Sequence, residues 1–224
     1  MSAEDAHVSH KRRAWLTVEL LALYVAAPIV LYGLIHPNRI PLFKLMLPLS
    51  ALFIVALTLQ HTFSWRETLR TGVRWRDMAG IAAMFLIAAP LLAAYAWFTG
   101  PQRFLTLPRA APHIWLMVMV LYPLISVTAQ ELMFRVFFFH RYRPLFASDG
   151  QGAIVLNAVL FSFAHIIFGT LPSLVISFFG GLLFAWRYEH TRSFWAVVIE
   201  HSLYGNLIFT LGLGRHFYTG VANF

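Results

Sequence analysis

The chain has 224 residues, of which 59% are hydrophobic and 12% charged, with 17 Lys and Arg against 9 Asp and Glu and no cysteine. Soluble domains carry about 45–50% apolar and about 25% charged residues, so this composition excludes an ordinary water-soluble globule and places the chain in a bilayer. The missing cysteines exclude disulfides, thiolate metal sites and a cysteine nucleophile, and basic residues grouped in short clusters between apolar runs point to membrane topology and away from nucleic acid.

From the start of the chain, Lys11-Arg12-Arg13 precede an apolar run from Trp15 to Ile35. That run is too long for a signal-peptide core and lacks a small-residue cleavage site, so it is expected to remain as a first helix. Further apolar windows at 40–60, 78–98, 113–139, 151–168, 171–187 and 193–212 predict about seven spans in an all-α, polytopic transmembrane helix bundle. Continuous apolarity over about 20 residues favours helices over the alternating strands of a barrel. Pro28, Pro48 and Pro90 lie in or near three spans and predict kinks. Between the second and third spans, 61–77 reads as a short interfacial helix, with Trp65 and Trp75 at the headgroups and Arg66, Arg70, Arg74 and Arg76 toward anionic lipid. Twelve of the 17 basic residues fall on one side of these spans, leaving Arg39, Lys44, Arg103, Arg109 and Arg215 on the other. The bias predicts a cytoplasmic N-terminus and an external C-terminus.

Glu19, Glu131 and Glu200 are the acids within predicted spans, and His165 and His201 the histidines well inside one. A charge at mid-bilayer costs at least about 2.5–3.5 kcal/mol, so such groups should face the bundle interior and find partners. Glu19 lies near the cytoplasmic end of its span, where it can snorkel, and reads as structural. Glu200 points about 100° away from His201 and either joins a site or pairs with an arginine. Glu131 and Arg135 share a helix face at i,i+4, where the guanidinium can hold the carboxylate ionised. A register-fixing ion pair is the plainer reading of the two. Asn157, Phe161 and His165 recur four residues apart, a stripe that serves either packing with one polar contact or the orientation of His165.

The informative residues come in order: Gln130-Glu131-Leu132-Met133-Phe134-Arg135, then Phe161-Ser162-Phe163-Ala164-His165, then His201-Ser202-Leu203-Tyr204-Gly205-Asn206. In that order they resemble the CPBP family of intramembrane proteases, which includes the type II CAAX prenyl endopeptidases and Abi-type bacteriocin-immunity relatives. That family carries E-E-x-x-x-R, F-x-x-x-H and H-x-x-x-N on successive helices of a four-helix core. The resemblance implies a protease core over residues 113–212, preceded by membrane helices and loops over 1–112 and followed by a tail over 213–224. Two positions depart from the pattern. Gln130 stands where the first glutamate is expected, and Gly205 where the asparagine is expected, with Asn206 one residue late. Glutamine cannot take a proton from water at neutral pH, so the chemistry falls to Glu131. Reaching the cavity from position 131 asks for helix rotation of about 100°, and a π-bulge or bend near Gly205 would bring Asn206 onto the face of His201. The Gln-Glu form together with Glu200-His201-Ser202-Leu203-Tyr204-Gly205 looks like branches proposed to act on C-terminal sorting signals in bacteria. This implies a membrane-anchored protein substrate and a bacterial cytoplasmic membrane.

Hydrolysis without Ser, Cys or Thr attack needs a base for water, a donor for the oxyanion and an acid for the leaving amine. The expected assignment makes Glu131 the general base tuned by Arg135, with His165 orienting the water or donating a proton. His201, with Asn206 or Gln130 as an amide donor, is expected to stabilise the oxyanion, while Phe161, Asn157 and Glu200 lie around the site. Zinc is the rival mechanism, since two histidines and a glutamate can hold it. There is no H-E-x-x-H, however, and the three groups come from three helices, so no cofactor is expected. Rhomboid-type G-x-S-x and aspartyl G-x-G-D motifs are absent from the sequence. The expected activity is therefore a glutamic-type intramembrane endopeptidase with membrane lipid and a membrane-anchored protein as partners. The alternatives are a non-catalytic scaffold or immunity-type protein of the same fold and a small proton-coupled transporter. With a rise of about 1.5 Å per residue, Glu131 and His201 should lie about 12 Å from the cytoplasmic ends of their spans and His165 about 20 Å.

Overall fold

The computed structural model describes residues 10–38, 43–146 and 150–218. Arg39 and residues 219–224 of the expected tail lie outside them. The described residues form nine α-helices and no strand, the expected all-α bundle. Helix α1 runs from His10–Leu21 through a π turn, Ala22–Ala26, into Ala27–Asn38. The others are α2 (Phe43–Thr58), α3 (Trp65–Arg70), α4 (Trp75–Thr99), α5 (Thr106–Ala110), α6 (Pro112–Arg141), α7 (Gln151–Ala164), α8 (Leu171–Thr191) and α9 (Phe194–Thr210).

Seven of these helices fall on the seven apolar windows. Five are long and apolar enough to cross a membrane: α1, α4, α6, α7 with its 3-10 extension to Phe168, and α8. Helices α2 and α9, at 16 and 17 residues, are shorter than these five spans. The bundle turns apolar side chains outward, as on α4, where Leu86 is 73% and Phe98 83% exposed. Lipid solvates such a surface and water does not, and the chain is an integral membrane protein.

Local chemistry sets the helix starts. The Ser64 hydroxyl caps α3 by accepting from the Glu67 N–H, Thr170 caps α8 through Ser173, and Ser193 caps α9 through Ala196. Asp77 in the first turn of α4 accepts from the Arg74 backbone N–H at 3.2 Å. The interior is closed by Tyr24 of α1, Leu57 of α2, Phe138 of α6, Phe161 of α7, Ala185 of α8 and Val197 of α9, all buried. Helices α7 and α8 form an antiparallel pair in close contact. At Gly181 a Cβ would stand 3.0 Å from the Ala158 Cα and 3.2 Å from the Phe161 ring, so only glycine lets the two backbones meet.

Candidate active site

The long helix α6 is irregular where it matters. Its α turn Thr128–Glu131 is bracketed by two π turns, Tyr122–Val127 and Leu132–Phe137. Pro123 is the second residue of the first. It has no N–H for the carbonyl of Met119 one turn back, and Asn206 Nδ2 from α9 supplies that carbonyl with a donor at 3.1 Å. The Thr128 hydroxyl in turn donates to the Pro123 carbonyl at 2.9 Å. Each π turn inserts one residue and rotates the downstream side chains by about 100° relative to a straight α-helix. The chain thus makes its rotation upstream of Glu131, while α9 stays α-helical through Gly205. In the second π turn the carbonyls of Met133 and Phe134 accept the Tyr24 hydroxyl and Asn157 Nδ2, each at 2.6 Å. Asn157 is fully buried and ties α7 to the helix that carries Glu131.

Three elements then bring their side chains together. Glu131 Oε1 lies 2.7 Å from His201 Nδ1, joining α6 to α9. Glu131 Oε2 lies 3.3 Å from Arg135 Nε, an ion pair by distance that is not aligned as a hydrogen bond. Neither Glu131 nor Arg135 has any exposed surface. The Arg135 guanidinium carbon sits 4.6 Å over the Phe161 ring and 5.6 Å over Phe184, so aromatic faces replace hydrogen-bond acceptors around it. Phe184 also stacks on His201 at 4.5 Å with a 21° tilt. From α7, His165 enters at the first residue of the 3-10 turn His165–Phe168. Phe161 packs against both imidazoles, 4.7 Å from His165 and 5.8 Å from His201 between ring centroids.

The hydrogen bonds fix the tautomers. The His201 Nδ1–H donates to the Glu131 carboxylate, which leaves Nε2 as an acceptor. The Tyr122 hydroxyl lies 3.2 Å from that Nε2. His165 Nδ1 donates to its own helix, to the Phe161 carbonyl at 2.7 Å, which likewise leaves Nε2 as the acceptor. The carboxylate lies deepest, His201 is buried in front of it, and Tyr122 and His165 are partly exposed. A carboxylate behind an imidazole, with an accepting nitrogen turned toward the partly exposed Tyr122, is an arrangement suited to moving a proton off water.

Residues 111–207 match the family model described as type II CAAX prenyl endopeptidase Rce1-like. Over that segment, somewhat less than half of the chain, the sequence is similar to the CPBP family. The family is one of CAAX-type intramembrane endopeptidases. No curated protein and no solved structure matches the chain.

Within the Rce1-like segment, the structure brings Glu131, Arg135, His201, Phe161 and His165 together and leaves other expected residues apart. Gln130 Nε2 donates to the Ser126 hydroxyl at 2.8 Å, on its own helix. The Asn206 amide is turned to Met119, one residue off the face that carries His201. Glu200 takes the arginine-pairing alternative: Arg187 Nε and Nη2 donate to its two oxygens at 2.9 and 3.0 Å. Glu19 pairs with Arg141 at 2.9 and 2.8 Å and accepts from the Tyr142 hydroxyl at 3.1 Å. No group of three His, Asp or Glu side chains among the described residues is placed to hold a metal ion. Tyr122 is the neighbour that sequence reasoning missed. An aromatic residue in an apolar span carries no signal of its own, and the only hint was Pro123 after it.

Proposed function

We infer that this protein is an intramembrane endopeptidase that hydrolyses a peptide bond of a membrane-anchored protein, with water activated through Glu131 and His201. The observation that carries the reading is the 2.7 Å contact between Glu131 Oε1 and His201 Nδ1 inside an Rce1-like segment. Glu131 is unexposed and its Oε1 is engaged, so the proton of the attacking water goes to the reachable nitrogen, His201 Nε2. Glu131 then balances the imidazolium that forms, and the glutamate acts through the imidazole where direct attack on water was expected. Arg135 lies against the other Glu131 oxygen, and His165 Nε2 accepts a second hydrogen bond from the water and orients it. The proton on His201 passes to the leaving amine as the C–N bond breaks. No cofactor takes part in this scheme.

The substrate class that fits is a single-span protein ending in a C-terminal sorting signal, presented in the bacterial cytoplasmic membrane with the enzyme's N-terminus inside and C-terminus outside. The distribution of Lys and Arg supports that orientation. A catalytically silent scaffold or immunity-type protein is the second reading, favoured by one observation: Gln130 is bonded to Ser126, which leaves Glu131 as the carboxylate that contacts His201.

The test is cleavage of a single-span reporter carrying such a signal, co-reconstituted with the purified full-length protein in proteoliposomes. The wild type cleaves, a chelator leaves the rate unchanged, and Glu131→Gln and His201→Ala each slow it by about 10³–10⁴-fold with the melting temperature retained. Undiminished cleavage by Glu131→Gln would sink the assignment, and an intact reporter with the wild type favours the scaffold.

A further inference from the structure

We propose that Tyr122 is a catalytic residue of this site, its hydroxyl being the donor that holds the oxyanion of the tetrahedral intermediate. The inference rests on the reading of Glu131 and His201 as the acid–base pair. Among the described residues, the hydrogen bonds made to that pair from outside it come from Tyr122 alone, at 3.2 Å from His201 Nε2. The two amides that sequence reasoning put forward are engaged elsewhere, Asn206 on the Met119 carbonyl and Gln130 on the Ser126 hydroxyl.

The placement of Tyr122 is built into two helices. On α9, Gly205 leaves bare backbone one turn after His201, and the Tyr122 ring lies against it. A Cβ at position 205 would collide with Cε1, Cζ and the hydroxyl oxygen of Tyr122. Phe209, a further turn along, closes the other side with an edge contact at 5.1 Å. On α6, Tyr122 is the first residue of the π turn that separates it from Glu131. The glycine that replaces the expected asparagine is thus the opening through which a hydroxyl from another helix reaches the same imidazole. The two departures from the motif pattern have complementary answers in α6, a π turn before Glu131 and a tyrosine at its start.

The step balances without a further reactant. The water oxygen bonds to the carbonyl carbon and its proton goes to His201 Nε2. The carbonyl oxygen takes the negative charge, and the Tyr122 O–H turns from Nε2 to that oxygen, keeping its own proton. The C–N bond then breaks, the proton on Nε2 moves to the amine, and Tyr122 returns to His201. A donor aimed at the developing charge in a low-dielectric site is worth about 10²–10³-fold in rate.

The experiment compares Tyr122→Phe and Glu131→Gln in the full-length protein, with the single-span reporter in proteoliposomes. The expected result is a kcat lower by about 10²–10³-fold for Tyr122→Phe, with KM changed little and the melting temperature kept. Gly205→Ala, which pushes the ring aside, should lose a comparable factor, and the double variant should be little worse than either single one. Replacing Tyr122 by a fluorinated tyrosine should move the alkaline limb of the rate profile toward neutral pH, a change that packing alone does not produce. Cleavage by Tyr122→Phe within about threefold of the wild type, with Glu131→Gln inactive, overturns the role of Tyr122 and leaves the acid–base pair standing. Full cleavage by Glu131→Gln overturns both.

Discussion

Among the described residues the bundle buries two carboxylate–guanidinium pairs, and they are built differently. Glu200 and Arg187 meet face to face, both carboxylate oxygens accepting aligned hydrogen bonds from the guanidinium. Glu131 and Arg135 meet at 3.3 Å without alignment; one carboxylate oxygen is given to His201, and the guanidinium nitrogens have aromatic rings in place of acceptors. Both pairs carry the desolvation cost of buried charge, but only the first is repaid by geometry. A satisfied pair fixes the register of α8 against α9. A pair left incomplete keeps a carboxylate available to an imidazole, and a site that does chemistry needs that availability.

Replacing each pair by two methionines separates these roles most sharply. Apolar replacement of a buried ion pair is often neutral or stabilising by about 1–4 kcal/mol. Glu200→Met with Arg187→Met should therefore stay folded and cleave the reporter near the wild-type rate. Glu131→Met with Arg135→Met should also stay folded and lose about 10³-fold or more in rate. Equal losses from both double variants would erase the distinction. Breaking the satisfied pair from one side is the next largest effect. Arg187→Ala leaves Glu200 buried and unpaired, which should cost about 3–5 kcal/mol of stability, read from denaturant unfolding in detergent, with little change in rate per folded molecule.

The bundle was legible because a membrane helix has to be apolar over its whole length, and each window fell on a helix. Its site was legible in part. Glu131, His165 and His201 stood out as ionisable groups in oil, where chance rarely leaves them. What stayed hidden depends on hydrogen bonds that a pattern of apolar residues does not encode. The π turns of α6 arise from a proline without an N–H and from side chains of α1, α7 and α9 that supply its freed carbonyls, so they are set by partners far along the chain. Asn206 looked one residue late for His201 because its task is the Met119 carbonyl. His165 was counted on a regular helix for a similar reason: α7 ends at Ala164, and the imidazole sits on the 3-10 turn beyond it.

A smaller effect concerns how closely α7 and α8 support the incomplete pair. Gly181 touches Ala158 and Phe161, and Phe161 lies under Arg135 and against both histidines. Gly181→Ala overpacks this contact and should cost about 1–3 kcal/mol. The displaced Phe161 shifts His165 and Arg135, so the rate should fall as well, while an alanine at Gly33, where nothing lies within 4 Å, should leave the rate unchanged. Loss of stability at Gly181 with an unchanged rate would mean that the site does not depend on Phe161.

The smallest effect comes from a third pair that shares its geometry with Glu200–Arg187 and differs in surroundings. Arg141 grips Glu19 through two nitrogens and Tyr142 adds a third hydrogen bond, but the side chains are 30% and 20% exposed, where the last turn of α6 meets α1. Water and salt reach this pair, so its partners are resolvated when it breaks and the alignment counts for less. Glu19→Gln should cost about 1 kcal/mol or less, and the difference from wild type should shrink as salt is raised. A loss as large as that of Arg187→Ala would mean that alignment governs these pairs whatever their depth, and the contrast between the two buried ones would then need a cause other than desolvation.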